Sequence, residues 1–186
     1  MTSLDKAYKL LMSSGSVGVI PTDTVYGLVA RALDQVAVTR AYALKDRELK
    51  PAPVLAANLQ QLELLGIKRR YLMAVKQYWP GPVSVILPHQ RDYLSQGLKT
   101  QPFRIPNDPV LLDLLEKTGP ILATSANLPA QPTATTIQQA KDYFKDQVDF
   151  YIDGGDLSAN LPSTIIRIVD DYVEVIRQGA LKIKVD

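Results

Sequence analysis

Apolar residues recur along this chain with two periods, one helical and one extended. Leu4, Ala7, Tyr8 and Leu11 fall at helical spacing behind Ser3, which predicts a first helix with Ser3 as its N-cap and Gly15 as its stop. Residues 17–20 form a short β-prone run closed by Pro21. Over residues 34–44 the helical spacing returns through Val36, Val38, Ala41 and Leu44, so a strand, a loop and a helix are expected in that order. Residues 54–57 and 83–87 are apolar runs bounded by prolines, with a Tyr71, Val75, Tyr78 stripe between them. They predict core strands and a covering helix.

The second half continues in the same manner. Residues 103–105 lie between Pro102 and Pro106, and Pro109 suits the first turn of a helix carrying Val110, Leu111, Leu114 and Leu115. Residues 121–124 read as another buried strand, and Ile137, Ala140 and Phe144 as a further helix. Two β-prone runs, 164–169 and 172–176, flank Asp170-Asp171 and predict a hairpin. The sum is a mixed α/β domain of the α+β type with a large sheet. No repeat, low-complexity tract or linker divides it, so one domain over residues 1–186 is expected. Residues 128–136 and 154–162 read as long loops, which in compact domains often carry function.

Composition narrows the chemistry. The chain has 186 residues, and its 21 basic and 19 acidic side chains leave a formal charge of +2. Bulk electrostatics therefore cannot drive nucleic-acid or membrane binding, and an anionic ligand must be met locally. There is no cysteine, which excludes disulfides, thiolate nucleophiles and cysteine zinc sites and suits a reducing compartment. The N-terminus lacks a signal-peptide run, and no segment has the length and apolarity of a membrane span. The single histidine, His89, which follows Pro88, is expected to be a surface or loop residue, and without Cys or His partners it offers a poor base or metal site.

Several short segments hold polar groups where an α/β sheet exposes its ligand crevice. Residues 21–28, Pro-Thr-Asp-Thr-Val-Tyr-Gly-Leu, place two hydroxyls, a carboxylate and a phenol after a strand, although Thr, Asp and Gly equally make turns and caps. Lys45, Arg47 and Lys50 gather cations at a helix C-terminus, where the dipole favours them without any ligand and where phosphate recognition would also want them. Ser125, Ala126 and Asn127 leave a strand and enter a loop with Thr133, Thr135 and Thr136. Pro162-Ser163-Thr164 and Arg177-Gln178-Gly179 repeat the same ambiguity between turn chemistry and ligand contact. There is no Walker A loop and no G-x-G-x-x-G fingerprint, so any nucleotide must be bound by another arrangement.

Taken in order, P-T-D-T-V-Y-G-L from Pro21, K-D-R from Lys45, P-G-P from Pro80, R-I-P from Arg104, S-A-N from Ser125, P-S-T from Pro162 and I-R-Q-G from Ile176 resemble the YrdC family, the threonylcarbamoyl-AMP synthases of tRNA modification. The resemblance spans nearly the whole chain. It implies an open, twisted mixed sheet with flanking helices and a concave basic cleft, in a cytoplasmic enzyme. L-threonine, bicarbonate or CO2, and ATP with Mg²⁺ would give threonylcarbamoyl-AMP and pyrophosphate. The product would pass to tRNA threonylcarbamoyl-transfer proteins. By motif, Lys45, Arg47, Ser125 and Asn127 would be catalytic and lie around the ATP phosphates, with Lys50, Thr133 and Arg177 also on the ATP side. Thr24, Arg104, Ala123 and Ser163 would line the threonine side, with Arg104 facing the substrate carboxylate. Two departures stand out: Glu48 replaces the proline many relatives carry after K-x-R, and Pro129-Ala130 replaces their usual Ser-Gly. The resemblance leaves two other roles open. One is a double-stranded RNA or tRNA binder of the same fold. The other is carbamoyl transfer as in hydrogenase-maturation carbamoyltransferases, which carry additional domains.

Overall fold

Val17, Val19, Leu28 and Ala30 belong to one buried cluster, while their chain neighbours Ile20 and Val29 belong to another. Successive side chains of a strand point to opposite faces, so this split means a sheet covered on both sides. The structure, a computed structural model, describes residues 3–46, 50–170 and 172–183. Its elements run α1 (Ser3–Leu11), β1 (Val17–Ile20), β2 (Gly27–Arg31), α2 (Gln35–Leu44), β3 (Val54–Leu55), α3 (Leu59–Glu63), α4 (Arg69–Val75), β4 (Val83–Pro88), β5 (Thr100–Arg104), α5 (Pro109–Thr118), β6 (Ile121–Ser125), α6 (Ile137–Phe144), β7 (Phe150–Tyr151), β8 (Thr164–Val169) and β9 (Tyr172–Arg177).

The nine strands form a single mixed sheet in the order β7-β1-β2-β6-β3-β5-β4-β8-β9. Ala7 and Leu11 of α1 pack with Leu111, Leu114 and Leu115 of α5 against Ile20, Val29, Leu55 and Ile121 on one face. The other face is larger. There Val38 of α2, Leu62 of α3, Leu72 of α4 and Phe144 of α6 cover Val54, Val85, Phe103 and Leu122. This two-sided burial explains why the central strands are continuous apolar runs rather than alternating ones. The β8–β9 hairpin closes one edge and is more exposed.

Helix α2 begins where Asp34 accepts the Ala37 N–H at 3.1 Å and the Gly15 N–H at 2.8 Å. Burial alone would raise the Asp34 carboxyl, but bonds from the Ala37, Gly15 and Val36 amides hold it below its ordinary value. This anchored start fixes the far end of the helix, where Lys45 is the C-cap residue.

Most expected elements are present, with instructive differences. The structure has a strand, β2, between the residue 21–26 loop and α2, because Gly27 to Arg31 pairs with both β1 and β6. Gly and Ala make that run look weak locally; two neighbouring strands make it central. Elements α3 and β7 also form beyond the sequence reading, and the 54–57 run shortens to Val54–Leu55. Ser3 lies inside α1 rather than at its cap. His89 follows β4 in a loop, as Pro88 suggests, yet it is only 8% exposed, with its ring edge-on to Phe103 at 5.8 Å.

Candidate active site

The residue 21–26 loop is shaped by one hydroxyl. Thr22 Oγ1 donates to the Val25 carbonyl at 2.6 Å and accepts the Thr24 and Val25 amides, each at 3.2 Å. The Thr24 hydroxyl lies 3.1 Å from the same Thr22 oxygen. Tyr26 anchors the same loop from below: its hydroxyl donates to the Gly155 carbonyl and accepts the Gly154 amide, both at 2.8 Å. Burial raises the Tyr26 phenol above its usual range.

Each motif proves to be another motif's partner. Arg104, the last residue of β5, directs Nη1 to both carboxylate oxygens of Asp23 at 2.8 and 2.6 Å. The Ala126 amide donates to the Tyr26 carbonyl at 2.8 Å, and Gly27 pairs with Ser125 across β2 and β6. The Gly81 amide reaches the Ile105 carbonyl at 2.9 Å, and the Thr164 amide the Pro82 carbonyl at 2.9 Å. At the end of the sheet, Arg177 donates through Nε and Nη2 to the Ser163 carbonyl at 3.1 and 2.7 Å, and the Ser163 hydroxyl lies 3.0 Å from Ser84. Gly179 makes this clasp possible, since a Cβ there would sit 2.1 Å from the Pro162 oxygen.

Lys45 joins the K-D-R segment to S-A-N. Its ammonium, on a side chain buried to 5% exposure, donates to the Ser125 carbonyl and to Asn127 Oδ1, both at 2.8 Å, and to the Asn127 carbonyl. The Ser125 hydroxyl donates to the same Asn127 Oδ1 at 2.6 Å, while Asn127 Nδ2 holds the Leu128 and Gln131 carbonyls at 3.0 and 2.8 Å. A helix end is thereby locked to the turn after β6.

Two adjoining cavities result. A narrow recess of about 70 Å³ is lined by Thr24, Arg104, Ala123, Ser125, Ser163 and Arg177, among others, and no carboxylate lines it among the described residues. An open groove of about 670 Å³ is lined by Lys45, Asp46, Lys50, Ser125, Asn127, Pro129 and Ala130, within the roughly 300–1,000 Å³ typical of ligand clefts. Ser125 belongs to both walls. The recess thus gathers Thr24, Arg104, Ala123 and Ser163, and Arg177 joins them there. Thr133 is half-buried and lines neither cavity. Arg47 lies outside the described residues.

The Sua5/YciO/YrdC family model, described as telomere recombination, matches residues 10–179. The chain belongs to this family. It is 33% identical over 177 residues to a threonylcarbamoyl-AMP synthase of Pyrococcus abyssi, covering 91% of this chain and 52% of the relative. It is 35% identical over 181 residues to the synthase of Bacillus subtilis, covering 92% and 52%. The crystal structure of Pyrococcus abyssi Sua5 complexed with L-threonine superposes with a TM-score of 0.83 at 32% identity, over 95% of this chain and 54% of that one. The chain therefore spans about half the length of these relatives.

Within the Sua5/YciO/YrdC framework, the sequence reading assigned no individual role to three contributors. Asp23 sits inside a recognised motif, but nothing local distinguishes its carboxylate from an ordinary turn residue. Ser84, fully buried in β4 between Val83 and Val85, left a legible sign as a polar residue inside an apolar run. The Tyr26 phenol was counted among the polar groups of residues 21–28, but its partners, Gly154 and Gly155, are brought beside it only by the fold. Among the described residues, no helix is long and apolar enough to cross a membrane, and no group of three or more His, Asp or Glu side chains is placed to hold a metal.

Proposed function

We propose that this chain is a cytoplasmic threonylcarbamoyl-AMP synthase, which joins L-threonine, bicarbonate or CO2, and ATP and releases pyrophosphate. The observation that carries this reading is the shared Ser125 wall between a small guanidinium-lined recess and a nucleotide-sized groove. A small amino acid in the recess and a triphosphate in the groove would meet across that one residue.

The chemistry follows from the walls. Arg104 offers a guanidinium to the amino acid's carboxylate, and the Thr24 oxygen accepts from its amine. An amine must be uncharged to attack CO2, and nearby guanidinium groups disfavour its protonated form. The uncharged amine adds to the carbon of CO2 and gives up one proton to solvent. The resulting carbamate oxygen then attacks the α-phosphorus of ATP in line, the bond from that phosphorus to the α–β bridging oxygen breaks, and pyrophosphate leaves with the electron pair. No protein nucleophile is needed, so the residues act by positioning and charge. Lys45 and Lys50 supply positive charge on the groove side, with Ser125 and Asn127 shaping its wall, and Arg47 of the same K-D-R motif is included in the proposal as a phosphate contact from the sequence alone. The described residues form no cage for a metal. Mg²⁺ enters the proposal as the companion of the ATP phosphates, which it commonly binds while keeping several waters. The labile product is passed to proteins that complete threonylcarbamoyladenosine in tRNA.

Pyrophosphate release from protein incubated with ATP, L-threonine, bicarbonate and Mg²⁺ tests this directly. Release is expected only when threonine and bicarbonate are both present. Independence from either one sinks the proposal, and RNA binding without any turnover would favour an RNA-binding role for the same cleft.

A further inference from the structure

A guanidinium and a carboxylate usually meet fork to fork, through two nitrogens and two oxygens. Asp23 and Arg104 do not. Both oxygens of Asp23 converge on the single nitrogen Nη1, at 2.8 and 2.6 Å, and Nε of Arg104 is buried without a hydrogen-bond partner. Both side chains are withdrawn from solvent, at 3% exposure for Arg104 and 10% for Asp23. Arg104 lines the recess, whereas Asp23 stands behind it and does not.

A buried N–H without an acceptor is costly, and a buried ion pair gains little over apolar packing. An arrangement that accepts both costs and leaves one guanidinium edge over is arranged for a further acceptor. Its anchors are rigid on both sides. The Arg104 backbone is held in the sheet, where its carbonyl accepts the Ala56 amide at 3.0 Å. The Asp23 backbone is held by the Thr22 hydroxyl, which ties the amides on its C-terminal side to one oxygen. With both backbones held, the grip of the Asp23 carboxylate on Nη1 limits how the Arg104 guanidinium can turn.

We infer that Asp23 is a positioning residue: it grips Arg104 by Nη1 and turns the Nε–Nη2 edge toward the carboxylate of an α-amino acid bound in the recess. The inference rests on the proposed function for the amino acid's identity, while the role of Asp23 is tested separately. Asp23 touches no substrate. It acts by fixing the plane in which Arg104 presents two parallel donors, so its influence is confined to ligands that carry a carboxylate.

Calorimetric titration of wild-type protein and Asp23→Asn with L-threonine and with L-threoninol, which has an alcohol in place of the carboxylate, separates the possibilities. In the variant the preference for threonine over threoninol falls by at least about tenfold, or about 1.4 kcal/mol, while threoninol affinity stays within about twofold. Equal weakening of both ligands, or an unchanged preference, overturns the assignment and leaves the proposed function standing. Absence of threonine binding by wild-type protein overturns both. Should Asp23→Asn not fold, Asp23→Glu keeps the charge while displacing Arg104, and it must show the same selective loss.

Discussion

Lys45 Nζ lies 2.8 Å from the Ser125 carbonyl and also donates to both oxygens of Asn127, so a cation at the end of one helix organises the turn after a central strand. The ammonium has three donors, and the protein itself supplies three oxygens. Lys45 therefore holds the common wall of the two cavities in shape besides adding charge to the groove. Lys45→Ala leaves those oxygens short of a donor in a buried site, a loss of about 1–3 kcal/mol of stability. Turnover should fall at least about tenfold, equivalent to about 1.4 kcal/mol of transition-state stabilisation, and Arg47→Ala should match it in rate. Chemical denaturation and pyrophosphate release measure the two effects, and wild-type rates in both folded variants would remove these residues from the phosphate site.

Ala130 stands at the groove mouth with φ 61, where the family's usual pattern has glycine. An L-residue in this left-handed region costs about 1–2 kcal/mol relative to its ordinary conformation. Ala130→Gly is expected to stabilise the folded loop, by less than that figure because glycine also loosens the unfolded chain. A fall in the urea midpoint would contradict the strain argument.

Gly179 offers the reverse case. A methyl group added there meets the Pro162 oxygen and the Ser163 carbonyl carbon, at 2.1 and 2.6 Å, and backbone cannot move aside as a side chain can. Gly179→Ala should cost about 1–3 kcal/mol and pull Arg177 away from Ser163. A variant as stable as the parent, with unchanged threonine affinity, would show that the clasp is dispensable.

His89 sets a pH dependence. Burial pushes its imidazole below the usual 6.5, with Asp92 opposing and Lys99 reinforcing the shift. Its Nδ1 already accepts the Arg91 amide at 3.1 Å, so a second proton there would face a donor. As pH falls below about 6.5 the unfolded chain binds a proton that the folded one refuses, and stability declines until the folded group titrates too. His89→Gln should flatten this slope between about pH 7 and 5, read from denaturation midpoints. Identical slopes in the two proteins would rule His89 out as its source.

How much of this was legible beforehand follows from where each interaction lies along the chain. The Pro109 helix start, the helical spacing over residues 34–44 and the 164–176 hairpin depend on neighbours a few residues away, and local pattern exposes them. Strand β2 does not, because Gly27, Leu28, Val29 and Ala30 are a weak local pattern made central by pairing on both sides with β1 and β6. The burial of His89 was hidden for the same reason: Pro88 marks the loop in which it lies, but Phe103 packs against the ring.

The site divides along that line. The ordered motifs already pointed to this family, and the absence of cysteine excluded thiolate nucleophiles and disulfides. Only the tertiary structure decided which motif grips which. A single concave cleft was the expectation; the fold has instead a small recess and a larger groove that share Ser125. Asp23 finds Arg104 across 81 positions, Lys45 finds Ser125 across 80, and Ser84 finds Ser163 across 79. Contacts of that span leave no periodic trace, because they exist only after the sheet has brought its strand ends together.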